Sequence, residues 1–239
     1  MAADEVLPGV RRIRIRMGYV NAYLVDGDEL SLVDTGLPGM AANFLKAIRQ
    51  AGRQPTDLRH IAITHHHADH TGSLATLTVK MPAAKVYVHP LDAPVVQGAE
   101  PIPGPSSDSR LGKVLGPVIM RMQPARLEHV DIHTLVEDEM EIPAASGMKV
   151  IHTPGHTAGH VSFLKPDQGG VLFVGDAAAN MFGGVGTPIS MFTEDMEQAR
   201  ASIRKIAELE FDAACFGHGG VLKGQANIAF RRWVEKQAR

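Results

Sequence analysis

Apolar and basic residues alternate along Val10, Arg12, Ile13, Arg14, Ile15 and Arg16, the period-two pattern of a strand with one solvated face. The arginines on that face are read as a solvated row that discourages edge pairing. Two apolar runs, 20–25 and 30–34, flank the turn Asp26-Gly27-Asp28 and predict a hairpin. After Asp34-Thr35-Gly36 the period changes: Met40, Phe44, Leu45 and Ile48 share one face of a helix. A short apolar run over 58–64 predicts a strand, 74–79 a helix stopped by Pro82, and 85–89 another strand. From 92 to 124 many Pro and Gly residues surround one apolar stretch, Leu111 to Met122, and resist a regular assignment, so this segment is read as a cap or lid. Strands follow at 148–152, 161–164 and 171–175, the last two joined by the turn Asp167-Gln168-Gly169-Gly170. Met196, Ile203, Ile206 and Ala207 predict a helix over 195–209, a strand follows at 212–216, and Ala226, Ala229, Phe230 and Trp233 mark a closing helix. Strand and helix alternate throughout, with no repeat and no linker, which predicts an α/β chain forming one domain over 1–239.

Composition narrows the function without naming it. The 24 Lys and Arg against 26 Asp and Glu leave a formal charge of −2, which favours neither nucleic acid nor an anionic membrane. Cys215 is the one cysteine, so no intrachain disulfide can form and a reducing cytoplasm is expected. The first ten residues carry Asp4 and Glu5 and lack a basic stretch followed by an apolar one, which argues against a secretory signal. No apolar run approaches the roughly 18 to 20 residues that span a bilayer. The expected partner is a small-molecule substrate. Oligomeric state is left open, a homodimer being compatible.

The twelve histidines change the picture, because they are clustered. Thr64-His65-His66-His67-Ala68-Asp69-His70 crowds five metal-competent side chains behind an apolar strand. In an extended loop positions i and i+2 face the same way, so His65 and His67 can converge on one ion while Asp69 and His70, past a bend, approach a second. Facing imidazoles without a cation suffer desolvation and, once protonated, mutual repulsion; a divalent metal uses their neutral lone pairs. Further ligands are available at three later strand ends: His156 in Thr153-Pro154-Gly155-His156-Thr157, Asp176 in Phe173-Val174-Gly175-Asp176, and His218 in Phe216-Gly217-His218-Gly219. Loops leaving one edge of a sheet are where binding residues collect.

The order THHHADH, PGHT, VGD and FGHG, with Asn21-Ala22-Tyr23-Leu24-Val25 through Asp34-Thr35-Gly36 at the start, resembles the metallo-β-lactamase superfamily of hydrolases over nearly the whole chain. The resemblance implies a four-layer αββα sandwich with metals at one edge. It implies a first metal on His65, His67 and His156, a second on Asp69, His70 and His218, and Asp176 bridging them. The bridging Asp resembles the glyoxalase II and lactonase branches rather than true β-lactamases, leaving β-lactam hydrolysis as a side activity. The sequence departs from glyoxalase II in its C-terminus, where one helix stands in place of a glutathione-binding helical domain. It departs from the lactonases at Ala179, where they carry a Tyr.

Two cations about 3.5 to 4 Å apart lower the pKa of a shared water from 15.7 towards about 7. The expected function is therefore a dinuclear hydrolase using metal-bound hydroxide on a small ester, lactone or thioester. Asp69 is the expected catalytic group, orienting the nucleophile and relaying its proton. Zinc is the foremost cofactor, and the same ligands suit Fe, Mn or Co. The alternatives are a mononuclear iron persulfide or sulfur dioxygenase and a scaffold braced by metal. Asp34 and His160 are expected to support ligands by hydrogen bonds, with His152 beside the PGHT loop. His66 is expected to face solvent or to support a neighbour, and Cys215 to be a buried, inert thiol. Met181, Phe182, Met191 and Phe192 are expected to line an apolar substrate pocket with Leu111 to Met122.

Overall fold

The computed structural model describes residues 3–15, 19–106, 109–122 and 124–238. Arg16, which the alternation places in the first strand, lies outside them, as do the side chains of Leu111 and Met122 at the ends of the predicted cap stretch.

The first half of the chain builds one sheet. Its strands are β1 (Ala3–Leu7), β2 (Val10–Ile15), β3 (Val20–Val25), β4 (Leu30–Val33), β5 (Leu58–Ala62), β6 (Lys85–Val88) and β7 (Thr134–Leu135), hydrogen-bonded in that order. The first three pairings are antiparallel and the last three parallel. Between these strands lie α1 (Ala41–Gln50), the single turn α2 (Ala68–Thr71), α3 (Leu74–Lys80), α4 (Ala93–Val96) and α5 (Arg110–Met122). The second half builds the other sheet from β8 (Glu141–Ile142), β9 (Met148–His152), β10 (Val161–Lys165), β11 (Val171–Gly175), β12 (Ala213–Phe216) and β13 (Val221–Lys223), with α6 (Met196–Ala207) and α7 (Ala226–Gln237). Here only β11 and β12 run parallel.

Side-chain alternation sorts these elements into four layers. On β3, Ala22 and Leu24 pack outward with Phe44, Ile48, Leu74 and Leu77 of the helices, while Tyr23 and Val25 point into the space between the sheets. On β11, Phe173 meets Tyr23 edge to face across that space, and Leu172 and Val174 pack outward with Ile203, Ile206, Phe230 and Trp233. A strand buried on both faces reads as an unbroken apolar run, as 20–25 and 171–174 do. The layers are α, β, β, α, as the family resemblance implied.

Several expectations change. β1 pairs with β2 and makes it an interior strand, so the arginine row is not a solvated edge. Arg12 and Arg14 pair with Asp4 at 2.7 and 3.0 Å, and Arg11 reaches Glu5 at 3.8 Å. The short β1 escapes notice because its acidic residues break the apolar pattern; their role is to answer the arginines. The 92–124 segment is not irregular, since α4 and α5 lie within it and Pro117 sits inside α5. Gly112 is required there, because a Cβ would stand 2.4 Å from the Ser106 carbonyl oxygen.

The predicted 195–209 helix starts where Asp195 caps it, accepting the backbone N–H groups of Glu197 and Gln198. Asp195→Ala is expected to cost about 1 kcal/mol, lowering the thermal midpoint by about 2–4 °C for a chain of this length, measurable by calorimetry.

Candidate metal centre

The parallel pairs β4/β5 and β11/β12 end at the same edge of the sandwich, so the loops that leave them meet there. Asp34 follows β4, 63–70 follow β5, 153–160 follow β9, Asp176 follows β11 and His218 follows β12. The two sheets are tied together at this edge. Asn21 donates its backbone N–H to the Gly217 carbonyl and its side-chain amide to the Phe216 and Gly219 carbonyls, and the Tyr23 hydroxyl also donates to Phe216.

Three sets of possible ligand atoms converge, each within 4.8 Å: His65, His67 and His156; Asp69, His70 and His218; and His65, His70 and Asp176. Asp176 stands between the first two sets. Its Oδ2 lies 3.4 Å from His156 Nε2 and 3.0 Å from His218 Nε2, and its Oδ1 lies 3.7 Å from His70 Nε2. Asp69, whose side chain is 30% exposed, is the most open of the carboxylates and sits 3.4 Å from His218 Nε2. The one-turn helix α2 produces the bend between His67 and His70, with His67 as its N-cap.

Hydrogen bonds fix which ring nitrogen faces inward. His70 donates from Nδ1 to Asp34, and His218 from Nδ1 to the Tyr19 carbonyl. The Thr64 hydroxyl gives its proton to Asp34 and accepts from His65 Nδ1. The Thr193 hydroxyl gives its proton to the Ile189 carbonyl and accepts from His156 Nδ1. Each of these four rings therefore turns its Nε2 inward. His67 Nδ1 stands 3.0 Å from His156 Nε2, close to the separation of about 3.3 Å between two nitrogens sharing one tetrahedral zinc.

These residues fit a cation. His65 Nε2, His70 Nε2 and Asp176 Oδ1 are buried without a hydrogen-bond partner, an arrangement that is costly unless something else satisfies it. Burial and neighbouring imidazoles hold His65 and His67 well below the usual histidine range, and burial brings His156 down to about 3, so these rings are neutral. Against burial, Asp176 and Asp69 push His70 up to about 9 and His218 up to about 12. The same rings, again against burial, pull both carboxyls below their ordinary range. The negative charge of the two carboxylates calls for positive charge among the rings, and divalent ions supply it while using neutral lone pairs.

The supporting residues are placed as follows. Asp34, at φ +62°, accepts the Thr64 N–H and hydroxyl together with His70 Nδ1–H. His160 accepts the Asp176 N–H at Nε2 and meets Thr153 through Nδ1. His152 bonds the Ala158 carbonyl and stacks on His89. Burial raises the Cys215 thiol far above its usual range. His66 is not solvent-facing: it is 3% exposed and turned towards Asp92 at 3.2 Å.

The expected substrate-binding residues stand at the rim. Met181 and Phe182 follow Asn180, which is bonded beside His218 and Gly219, and Phe182 is fully exposed rather than set into a wall. Met191 and Phe192, half-buried, lie in a 3₁₀ turn against α5 and just before Thr193. Sequence reasoning missed Thr64, Thr193, the Tyr19 carbonyl and Asp92. Thr64 opens the THHHADH motif and its role could have been found there; the others carry no spacing signal. Against burial, hydrogen bonds from His66 and Thr157 draw the Asp92 carboxyl down to about 2.

No helix among the described residues is long and apolar enough to cross a membrane. The probable metallo-hydrolase YflN of Bacillus subtilis is 31% identical over 241 residues, covering 94% of this chain and 89% of its own. A hydroxyacylglutathione hydrolase of Cupriavidus taiwanensis is 31% identical over 212 residues, covering 88% of this chain and 65% of its own length. Among solved structures, the metallo-beta-lactamase family protein TTHA1429 of Thermus thermophilus superposes with a TM-score of 0.70 at 23% identity, over 98% of this chain and 81% of that one. The sequence pattern of the metallo-beta-lactamase superfamily spans residues 15–218, from the end of β2 through His218. With its four layers, its ligand-bearing edge and its sequence all in agreement, the chain belongs to the metallo-beta-lactamase superfamily.

Proposed function

We propose that this chain is a cytoplasmic, metal-dependent hydrolase that cleaves a small ester, lactone or thioester at a two-ion site. The observation that carries the proposal is the Asp176 carboxylate, set between the His65–His67–His156 group and the Asp69–His70–His218 group. Those groups would hold one ion each, with Asp176 touching both. Zinc suits the imidazole-rich set best, and Fe, Mn or Co are also compatible. When bound, such ions make water nucleophilic near neutral pH and polarise a carbonyl oxygen.

The chain's own residues do the rest. Asp34, Thr64, Thr193 and the Tyr19 carbonyl lock the rings, so the site is organised before substrate arrives. Asp69, 30% exposed, is placed to orient an attacking water and take its proton at the carboxylate. Cys215 is buried in the strand behind the site and is no nucleophile. Met181, Phe182, Met191 and Phe192, with α5 behind the 190–192 turn, offer the apolar part of a substrate a rim on both sides of the ligands.

Metal analysis combined with a panel of small esters, lactones and thioesters tests this. Two zinc equivalents and turnover on the panel are expected, abolished by a chelator and restored by Zn(II). One iron per chain with oxygen consumption would indicate a dioxygenase instead, and full metal content without turnover a braced scaffold. Asp69→Ala is expected to lower turnover by about a hundredfold while keeping more metal than His67→Ala. Wild-type turnover in Asp69→Ala would refute its role.

A further inference from the structure

The THHHADH run contains one histidine that joins no ligand group. The His66 ring meets the His67 ring edge to face, with centroids 5.0 Å apart, and is buried against Asp92, which is itself 1% exposed. Asp92 lies just beyond β6, outside every recognisable motif. Its Oδ2 accepts the His66 backbone N–H at 2.9 Å and the Thr157 hydroxyl at 2.8 Å, and its Oδ1 accepts the Gly159 N–H at 2.8 Å. One carboxylate thus grips the loop bearing His65 and His67 and the loop bearing His156. Gly159 gives it room, since a Cβ there would stand 2.4 Å from Asp92 Oδ1. The Asp92 main chain is anchored in turn, its N–H bonded to the His89 carbonyl and its carbonyl to the Val96 N–H of α4.

We infer that Asp92 is a positioning residue that sets the spacing between the His65–His67 pair and His156, with His66 and Thr157 as its two handles. The three ligand residues come from loops 89 positions apart, and β5 and β9 belong to different sheets. Sheet packing fixes strand positions, but a metal polyhedron tolerates errors of only about 0.2 Å in ligand distance. A doubly gripping carboxylate removes the freedom of the two loops to slide relative to each other. Charge-assisted hydrogen bonds are the stronger kind and hold their geometry in a buried setting. Asparagine at this position keeps one acceptor oxygen for His66 and Thr157 but turns an amide N–H₂ onto the Gly159 N–H and loses the charge, so it cannot satisfy all three donors.

This inference rests on the metal-site reading and is tested by Co(II) titration against a competing chelator, following the visible d–d absorption. Wild type, Asp92→Asn, Thr157→Val and Thr157→Ser are compared, with thermal midpoints measured alongside. Asp92→Asn is expected to weaken one of the cobalt equivalents by about 10- to 100-fold and to change its absorption. Thr157→Val should weaken the same equivalent by about tenfold, and Thr157→Ser, which keeps the hydroxyl, should restore it. Thr157→Val carries the test if Asp92→Asn does not fold. Wild-type cobalt affinity and spectrum in the folded variants overturn the inference even if their midpoints fall, because Asp92 then only braces the loops. Failure of the wild type to bind cobalt sinks the metal-site reading, and this one with it.

Discussion

Asp176→Ala is expected to lower turnover by about ten-thousandfold, equivalent to about 5.5 kcal/mol of barrier, the largest effect of any single change in the chain. Among the described residues, Asp176 is the one carboxylate within 3.4 Å of histidine nitrogens in both groups, at His156 and His218. On the proposed two-ion reading, its removal would take a ligand from each ion at once and withdraw charge that compensates the cations. The surrounding framework should remain, because His160 holds the backbone N–H of position 176 and β11 is buried on both faces. Metal stoichiometry on purified protein is expected to fall below two equivalents while the far-ultraviolet circular dichroism stays unchanged. Retention of two equivalents with turnover within tenfold of wild type would show that the carboxylate does not bridge.

Gly217→Ala is expected to reduce turnover by about a thousandfold. The backbone there is not left-handed, so alanine meets no conformational penalty. The obstacle is space: a Cβ would lie 2.1 Å from Asp176 Oδ1 and 2.7 Å from His70 Cε1. Both groups must shift by an ångström or so, and a misplacement of that size costs about a hundredfold when one group moves. Two displaced groups, His70 of one ligand set and the Asp176 carboxylate between the sets, justify the larger figure. The variant should bind Zn(II) more weakly in a chelator competition and keep a cooperative thermal transition. A variant with wild-type zinc affinity would mean that the Asp176 carboxylate has another position available that serves as well.

These two substitutions show where sequence reasoning succeeds and where it stops. THHHADH is legible because a strand followed by a tight bend brings its members together locally, whatever the rest of the chain does. His156, Asp176 and His218 are legible because each follows an apolar run with a glycine beside it, and their order matches a known family. The role of Gly217 is not visible in that way. It looks like a turn glycine, and only the approach of β12 to the end of β11 shows that it leaves room for a carboxylate 41 positions earlier.

The sequence by itself determined the class of fold, the candidate ligand types and the strand ends that carry them, since period, turn chemistry and motif spacing are local properties. Tertiary structure alone decided which polar groups hold the ligands: Asp92 through His66 and Thr157, Thr193 on His156, and the Tyr19 carbonyl on His218. It also decided that β1 covers the arginine strand and that His66 is buried. The physical reason is separation along the chain. Contacts between residues 26 to 199 positions apart arise from which loops share an edge of the sandwich. Nothing in the neighbourhood of an isolated aspartate, threonine or carbonyl records where that edge will be.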